Sequence, residues 1–284
     1  MITINAINEL RKQINEWKLK GLTVGLVPTM GFLHEGHESL IKRAKKENDR
    51  VVVSVFVNPT QFGPNEDLES YPRDIKHDEA LCSNAGANII FNPSPSEMYY
   101  KDASTTINVL GLTEGLCGAK RPVHFGGVCL VVSKLFNIVT PNRAYFGEKD
   151  AQQLAVIKKM VRDLNFDIEV VGCPIVREID GLAKSSRNSY LSEHERSAAL
   201  VLNQSLTLAK EALLAGKNDP AAIKNIITKK LDSESLAKID YVEIVDSLTL
   251  KPVDIINSSI LVAIAVYIGK TRLIDNFTFT QGGN

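Results

Sequence analysis

Two imidazoles, His34 and His37, stand three residues apart in the stretch PTMGFLHEGHESLI (residues 28–41), with Gly31 and Gly36 beside them. Imidazole N–H groups at the start of a helix suit a phosphate, because free backbone N–H groups and the positive end of the helix dipole point the same way. The two glycines let the backbone come close to a ligand. Three further segments carry the same chemistry. RPVHFGG (residues 121–127) holds His124 beside Arg121 and two glycines. GEKDAQQ (147–153) supplies a glycine turn at Gly147, then Lys149, Asp150 and a Gln153 expected to face inward. DGLAKSSRN (180–188) gathers Lys184, Ser185, Ser186 and Arg187 on a glycine-hinged loop, two cations and two hydroxyls able to close on a nucleotide's phosphates. The expectation is that these four separated segments converge on a single polyphosphate ligand.

Other readings of the same residues fail on spacing. A zinc site needs about three protein ligands, and no third ligand follows the histidine pair at recognisable spacing. The dinucleotide fingerprint GxGxxG is absent, and before Gly269-Lys270-Thr271 the first glycine of a P-loop is replaced by Ile264.

Elements able to position these segments alternate along the first part of the chain. Residues 23–27, 51–57, 88–91, 144–146 and 168–171 read as strands, and VVVSVFV at 51–57 is apolar on both faces, as a covered central strand would be. Residues 37–46, 75–85, 128–138 and 151–164 read as helices. Strand–helix alternation predicts an α/β, Rossmann-like doubly wound parallel sheet, whose ligands bind beyond the carboxyl ends of the strands. Past residue 176 the pattern changes. Ser192 and Glu195 form a capping box for a long helix ended by Gly216, and Pro220 opens another to about residue 231. Strand-like runs follow at 241–245, 260–268 and 273–279. The expected organisation is a catalytic domain over 1–176 and a smaller α+β domain over 177–284 that carries the 180–188 loop.

Lys and Arg total 33 against 33 Asp and Glu, so the global basic bias of a nucleic-acid or anionic-membrane binder is missing. The longest apolar run, residues 260–268, is far short of a membrane span, and MITINAINEL lacks the pattern of a secretory leader. Cys82, Cys117, Cys129 and Cys173 are scattered without a CxxC pair, as reduced thiols of a cytoplasmic protein would be.

The segments PTMGFLHEGH, FVNPTQFGPNEDLESYPRD, RPVHFGGV, YFGEKDAQQL and REIDGLAKSSRNSYL, in this order, resemble the successive signatures of the pantothenate synthetase (pantoate–β-alanine ligase) family. HEGH is also similar to the HIGH motif of the wider nucleotidyltransferase superfamily, and KSSRN to its mobile lysine–serine loop. The resemblance implies ATP-dependent condensation of pantoate with β-alanine through a pantoyl adenylate, with Mg2+ carried on the ATP phosphates and a homodimer as the assembly. It implies His34 and His37 on the triphosphate, His37 donating a proton or hydrogen bond to the departing pyrophosphate. Lys149, Lys184, Ser185, Ser186 and Arg187 would hold phosphates; Met30, Gly31, Gly36, Gly147, Glu148 and Val176 would border the nucleotide, and Asp150 its ribose. Pantoate falls to Gln61 and Gln153, with Met30 and Phe62 against its methyl groups; His124 is placed with these substrate residues, either touching phosphate or bracing the pocket. No role is attached to Asp49, Lys76 or His77. Two rivals stay open: another HIGH-superfamily transferase, and a catalytically silent nucleotide-binding regulator.

Overall fold

The computed structural model describes residues 1–64 and 66–281. Two compact units divide the chain. Residues 1–110 and 121–174 form the first, and residues 111–120 and 175–284 the second. Val176 thus falls in the second unit, and the chain visits that unit once before finally entering it, which a linear boundary does not anticipate.

The first unit is built on six parallel strands: β1 (Ile2–Ile4), β2 (Val24–Thr29), β3 (Arg50–Val55), β4 (Ile89–Phe91), β5 (Arg143–Gly147) and β6 (Glu169–Cys173). Their order across the sheet is β1-β4-β3-β2-β5-β6. Winding runs outward from β2 through β3 and β4, then reverses through β5 and β6. The reversal lies between β2 and β5, so the loops after those two strands leave the same crevice. Helices α1 (Ile7–Leu19), α2 (Glu35–Glu47), α3 (Ile75–Ala85) and the short α4 (Pro95–Met98) come before the excursion to the second unit, where α5 (Leu116–Lys120) lies. The chain then returns for α6 (His124–Val139) and α7 (Ala151–Asp163).

β3 is buried along its length because helices cover both faces of the sheet. Val51, Val53 and Val55 join Ile41 and Ala44 of α2 and Cys82 of α3 in one apolar cluster. Each fully buried valine of this kind stabilises the fold by roughly 1.5–3 kcal/mol. The expected doubly wound sheet is therefore present, with strand ends displaced by one or two residues. α1, absent from the sequence reading, is amphipathic with Leu10, Ile14 and Trp17 buried. α6 begins at His124 rather than residue 128, so the histidine lies inside a helix start and not in the loop before it.

The second unit is α+β. An antiparallel sheet of β7 (Ala237–Asp246), β8 (Ile260–Ile268) and β9 (Thr271–Phe279) has β8 at its centre. The single long helix expected from Ser192 to Gly216 is divided at Ala199 into α8 (Glu193–Ala198) and α9 (Leu200–Leu214). The Ser192–Glu195 capping box is present, and Gly216 follows α9 in the left-handed conformation at φ 89°. α9 and α10 (Pro220–Asp232) bury Leu202, Leu206, Ile223 and Ile227 against Val262, Ile264 and Val266 of β8.

Candidate active site

β2 delivers the first segment to the crevice. Gly31 has φ 83° and Phe32 φ 50°, so the chain turns through the left-handed region before α2 begins. A side chain at Gly31 would bring its Cβ to 3.0 Å from both Asp78 and Val55, which is why glycine stands there. His34 and His37 then cap α2 reciprocally: the Gly36 N–H donates to His34 Nδ1 at 3.1 Å, and the His34 N–H donates to His37 Nδ1 at 3.2 Å. The rings lie 4.1 Å apart, tilted by 37°. With both Nδ1 atoms accepting, the neutral tautomer of each carries its proton on Nε2. Burial, then the charge of His34, then that of Lys149, hold the His37 pKa well below the ordinary imidazole value. Lys149 belongs to the 3-10 turn Glu148–Asp150 after β5, the strand beside β2, and its charge acts on His37.

Gly147 is extended at φ −75° rather than turned, and a Cβ there would meet nothing within 4 Å. The backbone does not demand glycine at this position; its smallness leaves the space beside the strand end open. Lys149 lies 3.8 Å from Asp150, whose side chain is half exposed.

A second cluster forms around the 3-10 turn Pro59–Gln61, which follows β3. Asn58 is 1 % exposed and donates to Gln61 Oε1 at 3.0 Å and to the Gly127 carbonyl at 3.1 Å, while accepting from the Tyr99 hydroxyl at 2.7 Å. Gln61 Nε2 in turn meets Met30 Sδ at 3.1 Å. Asn58 therefore fixes the orientation of the Gln61 amide. Gly127 makes the turn possible, since a Cβ there would stand 2.3 Å from the Thr60 carbonyl oxygen. Phe62 is buried, edge-on to Tyr71 with centroids 6.1 Å apart.

His124 is buried, and its Nδ1 donates to the Gln61 carbonyl at 3.0 Å. Burial and the neighbouring Arg121 lower its pKa to about 4. It is thus a neutral ring whose Nε2 is the accepting nitrogen, poorly suited to an anion and well suited to a hydroxyl or ammonium donor. Arg121 forms a two-pronged ion pair with Glu66. On α7 it is Gln152 that is buried; Gln153, expected to face inward, is half-buried, and its side-chain amide makes no hydrogen bond to another described residue.

In the second unit, Lys184 N–H donates to the Val176 carbonyl at 2.9 Å, which brings those two candidates together. Arg177 bridges antiparallel to Ala183 and anchors the turn between them by a bidentate pair with the buried Asp275 of β9 and by a bond to the Gly181 carbonyl. Gly181 turns it at φ 96°. Ser185 caps the 3-10 turn Ser186–Tyr190 by accepting from the Arg187 N–H, and Ser186 is buried.

Asp78, Asn58 and Glu66 did not emerge from sequence reasoning. Asn58 sits inside FVNPTQFG and Asp78 four residues after the Asp74 cap of α3, but only packing reveals their partners. Among the described residues, no group of three His, Cys, Asp or Glu side chains could hold a metal ion, and no helix is long and apolar enough to cross a membrane. Among the described residues, no cysteine forms a disulfide.

A parallel sheet that offers imidazole and ammonium donors at its switch point is that of a Rossmann-like nucleotide-binding protein. Residues 2–278 match the family model for pantoate-beta-alanine ligase. A pantothenate synthetase of Clostridioides difficile (strain 630) is 71% identical over 276 residues, covering 97% of this chain and 98% of that one. A crystal structure of pantothenate synthetase from Thermus thermophilus is 46% identical with a TM-score of 0.93, covering 98% and 99% of the two chains. Another, pantoate-beta-alanine ligase from Francisella tularensis complexed with beta-gamma ATP and beta-alanine, is 35% identical with a TM-score of 0.79, covering 100% and 99%. The chain belongs to the pantoate–β-alanine ligase family.

Proposed function

We propose that this protein joins pantoate to β-alanine at the expense of ATP, by way of an enzyme-bound pantoyl adenylate. A carboxylate offers an amine no good leaving group. In the first step a pantoate carboxylate oxygen attacks the α-phosphorus of ATP, the bond to the β-phosphate breaks, and pyrophosphate departs. In the second, the neutral amine of β-alanine attacks the acyl carbon and loses a proton. The bond from carbon to the AMP oxygen breaks, and AMP leaves with that oxygen.

The first step is phosphoryl transfer, which rewards positioning and charge stabilisation more than covalent participation. His34 and His37 are assigned to the triphosphate, each donating from Nε2, with Lys149; Lys184, Ser185, Ser186 and Arg187 are assigned to phosphate. Met30, Gly31, Gly36, Gly147, Glu148 and Val176 border the nucleotide, and Asp150 the ribose. Gln61 and Gln153 hold pantoate by neutral hydrogen bonds, since a cation at its carboxylate would blunt the nucleophile. Met30 and Phe62 line its methyl groups. His124, neutral and accepting at Nε2, is assigned to a substrate hydroxyl or ammonium rather than to phosphate. Mg2+ arrives on the ATP phosphates as part of the substrate. The working assembly is a homodimer in the cytoplasm.

The observation that carries this reading is the mutually capped histidine pair at the sheet's switch point, on which the charge of Lys149 acts. The beta-gamma ATP and beta-alanine complex of the Francisella tularensis relative supports it. Incubation with ATP, Mg2+ and pantoate, with and without β-alanine, followed by mass detection, tests it. Pantothenate, AMP and pyrophosphate in equal amounts are expected with β-alanine, and one burst of pyrophosphate per active site without it. Continuous pyrophosphate release without the amine would favour a nucleotidyltransferase; ATP binding without turnover would favour a regulator.

A further inference from the structure

The Asp78 carboxylate, 1 % exposed in the first turn of α3, makes its bonds to a loop 45 residues away in sequence. Its Oδ2 accepts from the Phe32 N–H at 2.9 Å and its Oδ1 from the Leu33 N–H at 2.7 Å. Its neighbour His77 donates from Nε2 to the Leu33 carbonyl at 2.9 Å. Two adjacent residues of α3 therefore grip both polar groups of Leu33, immediately before His34.

What they grip is a strained turn. Phe32 has φ 50°, a left-handed conformation that a bulky side chain adopts only when its surroundings impose it. Gly31, at φ 83°, is the one residue small enough to let the carboxylate approach, its absent Cβ lying 3.0 Å from Oδ2. On the β2 side, the Gly31 N–H is held by the Thr29 hydroxyl at 3.2 Å. A backbone otherwise disposed to relax is pinned directly ahead of the two imidazoles.

We infer that Asp78 is a positioning residue for adenylation: by holding the left-handed turn at residues 31–33, it presents the His34–His37 pair in a single geometry toward the phosphates. The Asp78 carboxylate bonds the Phe32 and Leu33 N–H groups, so it acts through the loop. A misplacement of about 1 Å at such a site can cost on the order of 10²-fold in rate, so a buried carboxylate serving only as a loop anchor has a catalytic consequence. The kinetic part of this inference rests on the ligase reading; the spectroscopic part does not.

The test compares the wild-type chain with Asp78→Asn, which keeps the shape but exchanges one accepting oxygen for an amide that faces a backbone N–H. With only five histidines, 15N-histidine NMR resolves the pair. In the wild type, His34 and His37 are expected as Nε2–H tautomers; in Asp78→Asn their resonances should move toward tautomer averaging while those of His124 and His194 stay in place. In parallel, kcat for pyrophosphate release should fall about 10- to 100-fold with the pantoate KM changed less than about two-fold. Phe32→Gly placed in the same background should restore part of the rate, because glycine adopts the turn without strain. Unmoved imidazole resonances, or wild-type kcat in the folded variant, would overturn the inference. Should Asp78→Asn not fold, His77→Ala removes the other half of the grip, with the same shifts expected in smaller measure and their absence counting against the role. A wild-type protein that binds ATP without turnover would defeat the ligase reading, and the NMR comparison would still decide the role of Asp78.

Discussion

The His37 ring resists protonation in the free chain. Burial, His34 and Lys149 all oppose its protonation, and its Nδ1 is occupied by the His34 N–H, so under the proposed reaction it would offer a departing pyrophosphate an Nε2–H hydrogen bond. Removing it in His37→Ala should lower the rate of pyrophosphate release by roughly 10²–10³, as for other donors aimed at developing charge; stopped-flow detection of near-normal release would contradict the role. His124 gives a second expectation, in stability. Its pKa falls to about 4 in the folded chain from an ordinary 6.5, so on acidification the unfolded chain takes up its proton first. The contribution is full above about pH 6.5 and is lost as the pH falls toward 4, on the order of 2 kcal/mol by pH 5. Melting temperatures between pH 7 and 5 should therefore drop more steeply in the wild type than in His124→Asn, and equal slopes would contradict the assignment. At this scale the sequence offers candidates where chemistry is local: the histidine pair, Lys149 and the residues at 184–187 stand in short strings. Asp78 was not legible, because its meaning lies in two bonds to a loop 45 and 46 residues away.

The elements show why some boundaries could be read and others could not. β3 announced itself because a strand covered on both faces is apolar throughout, and α2 because Leu40, Ile41 and Ala44 share one buried face. The start of α6 was misplaced at residue 128 because Gly126 and Gly127 resemble a loop. Gly127 is instead helical, and its missing side chain admits the Thr60 backbone. That close approach joins α6 to the turn bearing Gln61. In Gly127→Ala the new methyl group would meet the Thr60 carbonyl at 2.3 Å, so the turn must move. Overpacking of this kind costs about 1–3 kcal/mol. The expected outcome is a lower melting temperature together with a several-fold rise in the pantoate KM and little change in the ATP KM. A rise confined to the ATP KM would place Gln61 on the nucleotide instead. The division of the expected long helix at Ala199 carried no sequence signal, since neither glycine nor proline marks it.

At the scale of the whole molecule, the strand order β1-β4-β3-β2-β5-β6 explains why the candidate residues of the first unit come from segments far apart in the chain. A reversal of winding between β2 and β5 brings the ends of both strands to one crevice, so residues near 34 and near 149 leave the sheet side by side. Alternating strands and helices foretold that sheet, whereas the excursion of residues 111–120 to the second unit left no mark in composition. The central claim is that pantoate is activated as an adenylate, and the fate of one oxygen atom tests it most directly. With pantoate labelled by 18O in its carboxylate, mass analysis of the products after one round of condensation should find one labelled oxygen in AMP for each pantothenate formed, and none in pyrophosphate. Label recovered in pyrophosphate or inorganic phosphate, with AMP unlabelled, would contradict the account.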